Sequence, residues 1–347
     1  MYVWPRVAKT GKSAQDSSAI DIRRAGAISL LQSAFTAQAL RKLCRIGPTL
    51  IETLKKAETF FAEKGIPSPR LEAQLIFAHF LKLRRIDLFT QVERPIDKSE
   101  LELLRQAMRE KIAGKPTAYI LGTKEFYGRE FSVGPAVLIP RPETEELVEL
   151  ILKETKLAPQ ESTGLPGRET ENGRIGHVAD FGAGSGCIGV TLALELKAAR
   201  LSLVDISLGA LEIAGRNTRR HIADPAMEIH SQAMDFRSKD FALHMPADLI
   251  VSNPPYVLPE EFTGLDNAVR DHEPKVALVA EDFEELHRGL LAAVFTNLVA
   301  GGFFGIETHP AKSADVAAWA TGQGFVGVKI CNDFAGRPHF ILGRKAS

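Results

Sequence analysis

From His177 onward the chain alternates short apolar runs with amphipathic ones, and that order admits few architectures. HVADF and LSLVD have strand length and end in or near an aspartate, while GVTLALELKA and LGALEIAGRN read as helices between and after them. ADLIVS is a further strand, ELHRGLLAAVFTNLVA a helix and GGFFGIET a strand. AKSADVAAWATGQG is another helix, and FVGVKI and HFILGR close the chain. Such alternation means an α/β fold, a mostly parallel sheet with helices on both faces. Ligands in these sheets bind at the carboxyl ends of the strands. The loops after Phe181, Asp205, His230 and Ser252 are therefore expected to face one cleft.

The upstream half reads differently. Residues 46–115 are expected to form a small helical domain. Leu50, Leu54, Ala57 and Phe61 fall on one face of a first helix that Gly65 can end. Ser68 and Pro69 start a second, with Leu71, Leu75 and Ala78 among its apolar positions. Ser99 and Glu102 make a capping box ahead of a third. This domain carries no catalytic pattern and suits packing or partner docking. Residues 116–142 switch to short aromatic and β-branched runs broken by Gly and Pro, a hairpin linking the two domains. Residues 143–347 form the main domain, opening on a helix from Thr144 to Lys156. The polar stretch from Leu157 to Gly176 reads as a mobile loop or insertion. Residues 1–45 hold eight Lys/Arg against Asp16 and Asp21. The reading preferred for them is a flexible extension, and the alternative is an organelle transit peptide.

Charge and cysteine content narrow the function classes. Lys+Arg and Asp+Glu both number 43, so the formal net charge is zero. A duplex-binding protein usually carries a basic excess or a basic face. The 3 cysteines are scattered, show no zinc spacing and suit a reducing cytoplasm. No apolar run approaches the roughly 20 residues that span a bilayer.

The loop DFGAGSGCIG, Asp180 to Gly189, follows the first strand of the alternating region. Glycines let the backbone turn tightly and let a ligand approach the main chain. Asp205 ends the next strand, where a carboxylate can accept hydrogen bonds from the ribose hydroxyls of an adenosine. Gly184, Gly186 and Gly189 match the dinucleotide spacing, so the loop alone leaves a nicotinamide dehydrogenase open. Asp180 weighs against it. A carboxylate just ahead of the glycines suits the amino group of S-adenosylmethionine and repels a pyrophosphate.

VSNPPYVL, at 251–258, supplies the other half of the chemistry. Proline fixes φ and donates no hydrogen bond, and it drives the residue before it towards an extended conformation. Asn253 and Pro254 both precede a proline, so both are held extended in a stiff corner. The Asn253 side-chain carbonyl and the Pro254 main-chain carbonyl can then accept from the two N–H groups of a planar amide or amine. That aims its delocalised lone pair before reaction. Tyr256 offers a ring wall to a planar group. The chemistry expected is direct methyl transfer without a metal, since no arrangement of His or Cys suits a nucleophilic route.

DFGAGSGCIGV, LVDIS, MDF, VSNPPYV and EPKVALVA occur in this order, after GIPSPRLEAQLIFAHFLKLRRIDLF, PTAYILGTKEFYGREFSV and VLIPRPETEELVE. Together they resemble the glutamine N-methyltransferases specific for peptide-chain release factors, the PrmC/HemK family, from about residue 48 to the C-terminus. The resemblance implies a seven-stranded, Rossmann-like S-adenosyl-L-methionine-dependent methyltransferase domain whose last strand is antiparallel. It also implies a small N-terminal helical domain that helps hold a release factor, and the glutamine of a GGQ loop as acceptor. By motif position, Gly182, Ala183, Gly184, Ser185 and Gly186 would bind the methionine part of the cofactor, with Asp180 and Asn253 also among the cofactor-binding residues. Asp205 would take the ribose, and Phe236 in MDF would stack near the adenine. Asn253, Pro254, Pro255 and Tyr256 would hold the glutamine amide beside the cofactor, with Asn253, Pro254 and Tyr256 as the catalytic set. Glu273 and Pro274 match a segment near the substrate pocket. The chain departs from the family at Ala183, where Thr is common, and at ETHPAK, 307–312, where Glu-Ile-Gly is usual.

Other readings are weaker. A DNA amino-methyltransferase uses a similar corner on adenine or cytosine, but it must flip a base and hold the duplex. The neutral charge and the modest helical domain do not favour it. A dehydrogenase has no need of the corner, and a cofactor-binding scaffold would not need it complete. The expectation is a monomeric cytoplasmic enzyme acting on release factors, without membrane or direct nucleic-acid contact.

Overall fold

A computed structural model describes residues 47–157 and 176–347. The extension read over 1–45 and the body of the insertion read over 157–176 lie outside the described residues. The chain divides into two compact units, Met1–Gln106 and Ala107–Ser347.

In the first unit, helices α1 (Leu50–Glu63) and α2 (Pro69–Phe80) are followed by a single turn, α3 (Asp87–Thr90), and by α4 (Lys98–Ile112), which runs across the division. Thr49 caps α1, accepting from the Glu52 N–H while the Glu52 carboxylate accepts from the Thr49 N–H. Leu50, Leu54, Ala57 and Phe61 are its buried face, as the periodicity requires. The second helix departs from expectation. It starts at Pro69, but its buried positions are Ala73, Gln74, Ile76 and Phe77, and Leu71 is exposed. The buried face is turned by about one residue from the one expected, which leaves Leu75 and Ala78 half-buried at its border. The cap of α4 also differs: Asp97, not Ser99, accepts from the Glu100 N–H at 2.8 Å, and Glu100 returns the bond to the Asp97 N–H at 3.1 Å. Asp97 outcompetes Ser99 because a charged acceptor makes the stronger cap bond. Ser99 instead donates to the Asp97 carboxylate.

The second unit opens with α5 (Thr117–Leu121) and an antiparallel hairpin of β1 (Thr123–Phe126) and β2 (Arg129–Ser132). After α6 (Pro142–Leu157) come β3 (His177–Phe181), α7 (Cys187–Glu195), β4 (Arg200–Asp205), α8 (Leu208–His221), β5 (Glu228–Ala233) and β6 (Ala247–Ser252). The single turn α9 (Asn267–Arg270), α10 (Phe283–Asn297), β7 (Leu298–Glu307), α11 (Ser313–Gln323), β8 (Phe325–Asn332) and β9 (Pro338–Lys345) complete it. Seven strands form one sheet in the order β5-β4-β3-β6-β7-β9-β8. Only β9 runs against the others, pairing antiparallel with β7 and β8.

Side chains alternate across this sheet with the period of two that strands impose. Val178, Leu201, Leu203, Leu249, Val251 and Phe303 pack on one face with α6 and α7. Ala179, Phe181, Val204, Ile250, Phe304 and Ile306 pack on the other with α10 and α11. Both faces are covered, which is why β3 and β6 read as near-continuous apolar runs. The strand through His230 does not end there. β5 continues to Ala233, so the cleft-facing loop begins at Met234. The alternating exposure of β5 gave no apolar terminus by which to place its end.

α7 lies unusually close to β3. A Cβ at Gly189 would sit 2.8 Å from the Asp180 Cβ and 3.1 Å from Leu203 Cδ2. Overpacking of this kind costs about 1–3 kcal/mol. Gly189→Ala is therefore expected to lower the urea midpoint by a corresponding amount, and an unchanged midpoint would show that the helix is free to move away.

Candidate active site

The sheet reverses its order between β3 and β6, and the loops leaving their carboxyl ends diverge there. The glycine loop leaves β3 with positive φ at Gly182, Gly184 and Gly186, a conformation that disfavours side chains. Gly182 and Ala183 both donate to the Val204 carbonyl, at 2.8 and 3.0 Å. A Cβ on Gly182 or Gly184 would have no heavy atom nearer than 4.0 Å, so both positions border open space. Gly186 is different: its Cβ would meet Ala214 at 3.2 Å, so it serves packing against α8.

Asp205 ends β4 and holds this loop. One carboxylate oxygen accepts from the Gly184 N–H at 2.9 Å and the other from the Ser207 N–H at 2.9 Å. Burial raises its pKa, and the two N–H bonds oppose that. Asn217, on α8, fixes the loop from behind. Its amide donates to the Ser185 carbonyl at 2.8 Å and exchanges a pair of bonds with the backbone of Ser132. Asn217 was invisible to motif reading, because an Asn in an amphipathic helix carries no local signal.

Asp180 is fully buried. One oxygen accepts from the Gly189 N–H at 2.8 Å, and the other has no hydrogen-bond partner. Burial pushes its pKa up to about 7, with the Gly189 bond opposing and the Asp205 charge adding to the rise.

The corner leaves β6 on the other side of the reversal. Ser252 donates to the Phe181 carbonyl at 2.6 Å, which ties the ends of β3 and β6 together. Beyond the prolines, Val257 donates to Leu278 and accepts from Ala280, zipping the corner to the segment 275–280. Glu273 then clamps that segment to the chain before α6. Its carboxylate accepts from the Ile139 N–H at 3.0 Å and from the Arg141 guanidinium at 2.7 Å. Glu273 therefore faces protein on both oxygens and acts as a brace; Arg141, not Glu273, reaches the cavity wall. The amide of Asn253 donates to Thr144 Oγ1 at 3.1 Å, Thr144 donates to Glu307 at 2.8 Å, and the Tyr256 hydroxyl donates to the other Glu307 oxygen at 3.1 Å. His339 Nε2 lies 3.3 Å from that same oxygen. Glu307 had a readable signal, a carboxylate closing an otherwise apolar strand. Thr144 and His339 had none.

These elements enclose a cavity of about 260 Å³. Gly182, Ala183, Gly184, Ser185, Asp205, Phe236, Asn253 and Pro255 line it. Asp180, Gly186, Pro254, Tyr256 and Glu273 are not among the lining residues. Phe236 offers one ring face only, since the other stacks near-parallel on Phe181 with centroids 6.2 Å apart. Cys187 also borders the cavity, but burial pushes its thiol up to about 12, which keeps it protonated and a poor nucleophile.

Known families match stretches in both units. The PrmC N-terminal domain family matches residues 52–122, and the methyltransferase small domain family matches residues 168–267. A release factor glutamine methyltransferase from Chlorobaculum tepidum is 38% identical over 287 residues, covering 82% of this chain and 94% of its own. The protein of the same name from Leptospira interrogans is 36% identical, covering 85% of this chain and 97% of its own. The chain belongs to the release factor glutamine methyltransferase family. It is an S-adenosyl-L-methionine-dependent methyltransferase, and the dehydrogenase suggested by the glycine spacing is set aside. The residues suit that cofactor: two glycines open on the cavity, a strand-end carboxylate lines it, and Asp180 keeps one buried oxygen without a donor. No helix among the described residues is long and apolar enough to cross a membrane.

The raised pKa of Asp180 has a thermodynamic sign. A carboxyl that holds its proton more tightly when folded stabilises the fold below the unfolded value of 3.8 and loses that contribution as pH rises through about 7. Between those limits Asp180→Asn is expected to flatten the decline of the ligand-free protein's Tm. Parallel wild-type and variant curves across that range would contradict the assignment.

Proposed function

We propose that the chain transfers a methyl group from S-adenosyl-L-methionine to the side-chain amide nitrogen of the glutamine in the GGQ motif of peptide-chain release factors, supporting translation termination. The observation that carries this reading is the Asn253–Tyr256 corner, braced on three sides and opening through Asn253 and Pro255 on the same cavity as the glycine loop. The names of the relatives support the acceptor.

When bound, S-adenosyl-L-methionine supplies an electrophilic methyl on a positively charged sulfur. Gly182 to Gly186 cradle its methionine part, Asp205 its ribose and Phe236 its adenine, with Asp180 supplying negative charge behind the loop. A glutamine amide nitrogen is a weak nucleophile because its lone pair is delocalised into the carbonyl. Asn253 Oδ1 and the Pro254 carbonyl accept its two N–H groups and turn that lone pair towards the methyl. Pro254 and Pro255 keep both acceptors from relaxing, and Tyr256 braces the corner from behind through Glu307. The alkylated nitrogen then sheds one proton to solvent. The N-terminal helical unit docks the release factor. The same reading makes the enzyme a cytoplasmic monomer without a direct nucleic-acid partner.

Mass spectrometry of a release factor incubated with enzyme and cofactor is expected to show one added methyl on the GGQ glutamine; methylation of DNA instead would overturn the reading. Asn253→Ala should cut turnover by about 10²-fold or more while cofactor Kd stays within about threefold. Asp205→Ala should do the reverse in kind, raising cofactor Kd by about 10- to 100-fold in calorimetry.

A further inference from the structure

A carboxamide presents two ends of nearly equal shape, and only one can accept a hydrogen bond. The reading of Asn253 as acceptor for a substrate N–H, on which this inference rests, requires the oxygen end to be free. The prolines do not secure that, since they restrict the backbone and leave the side-chain amide able to turn over. Its neighbours decide instead. Glu307 is fully buried, and the groups around it are donors: Thr144 Oγ1 at 2.8 Å, the Tyr256 hydroxyl at 3.1 Å and His339 Nε2 at 3.3 Å in its Nε2–H tautomer. A hydroxyl has one proton. Thr144 commits it to Glu307, so towards Asn253 it has only lone pairs. Asn253 must then meet it N–H first, as the 3.1 Å contact from Nδ2 has it. The reversed amide would set two oxygens against each other.

We propose that Thr144 and Glu307 are positioning residues for methyl transfer: a one-way chain of hydrogen bonds that fixes which end of the Asn253 carboxamide is left for the acceptor. Thr144 arrives from the first turn of α6 and Glu307 from the end of β7, 163 positions apart. Neither side chain needs to touch the reacting atoms.

The chain has a direction, and that direction can be reversed. In Glu307→Gln the new amide can donate to Thr144, freeing the Thr144 proton for Asn253 Oδ1 and turning the carboxamide over. Thr144→Val removes the link at constant shape, and Thr144→Ser keeps it. With release factor as acceptor, Thr144→Val and Glu307→Gln are each expected to lower kcat by roughly 10- to 100-fold, the range for a misplaced reacting group. Cofactor Kd should stay within about threefold, and Thr144→Ser should recover most of the rate. The double variant should be little worse than either single one, since both break the same chain. A second readout needs no acceptor. In protein labelled with 15N-asparagine, the Asn253 side-chain NH2 signal, assigned by its loss in Asn253→Ala, should show one exchange-protected proton. That protection should survive in Thr144→Ser and vanish in Thr144→Val and Glu307→Gln. A Thr144→Val enzyme with wild-type kcat, a Ser variant as impaired as the Val one, or an Asn253 amide signal indifferent to all three changes overturns the proposal. If wild-type enzyme leaves the release factor unmodified, the choice of acceptor falls, and the amide signals alone decide the chain.

Discussion

The reversal of strand order between β3 and β6 is the constraint from which the rest of the site follows. Parallel strands leave backbone groups unpaired at their ends, and where neighbouring connections diverge no crossover covers the gap. The chain closes that gap with rigid loops. Ser252 joins the two strand ends through the Phe181 carbonyl, and Val204 accepts two N–H groups of the glycine loop. The cleft is thus a by-product of topology, and its walls are stiff because they complete the hydrogen bonding of the sheet.

Buried and half-buried carboxylates perform much of the remaining assembly. Asp205 fastens the glycine loop, Glu273 fastens the segment after the corner to the approach of α6, and Glu307 joins α6, the corner and β9. Each is satisfied by N–H, guanidinium or hydroxyl donors from different parts of the chain. Asp180 is the exception, with one oxygen left without a donor, and it is the one whose proton affinity is pushed up to about 7. A carboxylate with unmet acceptor capacity beside an aperture for a cationic ligand makes physical sense. Elsewhere in the fold it would only destabilise.

What could be read from the sequence was local in the chain. The parallel sheet, the glycine loop, Asp205 and the corner all announce themselves within a few residues, through periodicity or the conformational habits of Gly and Pro, whereas the antiparallel final strand is implied only by the family resemblance. The ties that hold those pieces are not local. Asn217 reaches Ser185 from another helix, and Thr144 reaches Glu307 across most of the domain. No spacing rule connects such pairs. Where local signals mislead the reasons differ: at the α4 cap two nearby acceptors compete and the charged one wins, and at the end of β5 no apolar terminus marks where the strand stops. Glu273 shows the same limit: its position near the pocket was legible, but its inward clamp on Ile139 and Arg141 was not.

The clamp formed by Glu273 also bears on transplantation. Because the corner is moored through 275–280 to the stretch 139–141, and through Thr144 to the strand carrying Glu307, the tetrapeptide is not a portable cassette. Grafted into another sheet it would keep its prolines and lose its moorings. A substitution at Glu273, Thr144 or Glu307 alone would loosen the corner from a distance, so the tetrapeptide can be exchanged between folds only together with the residues that moor it.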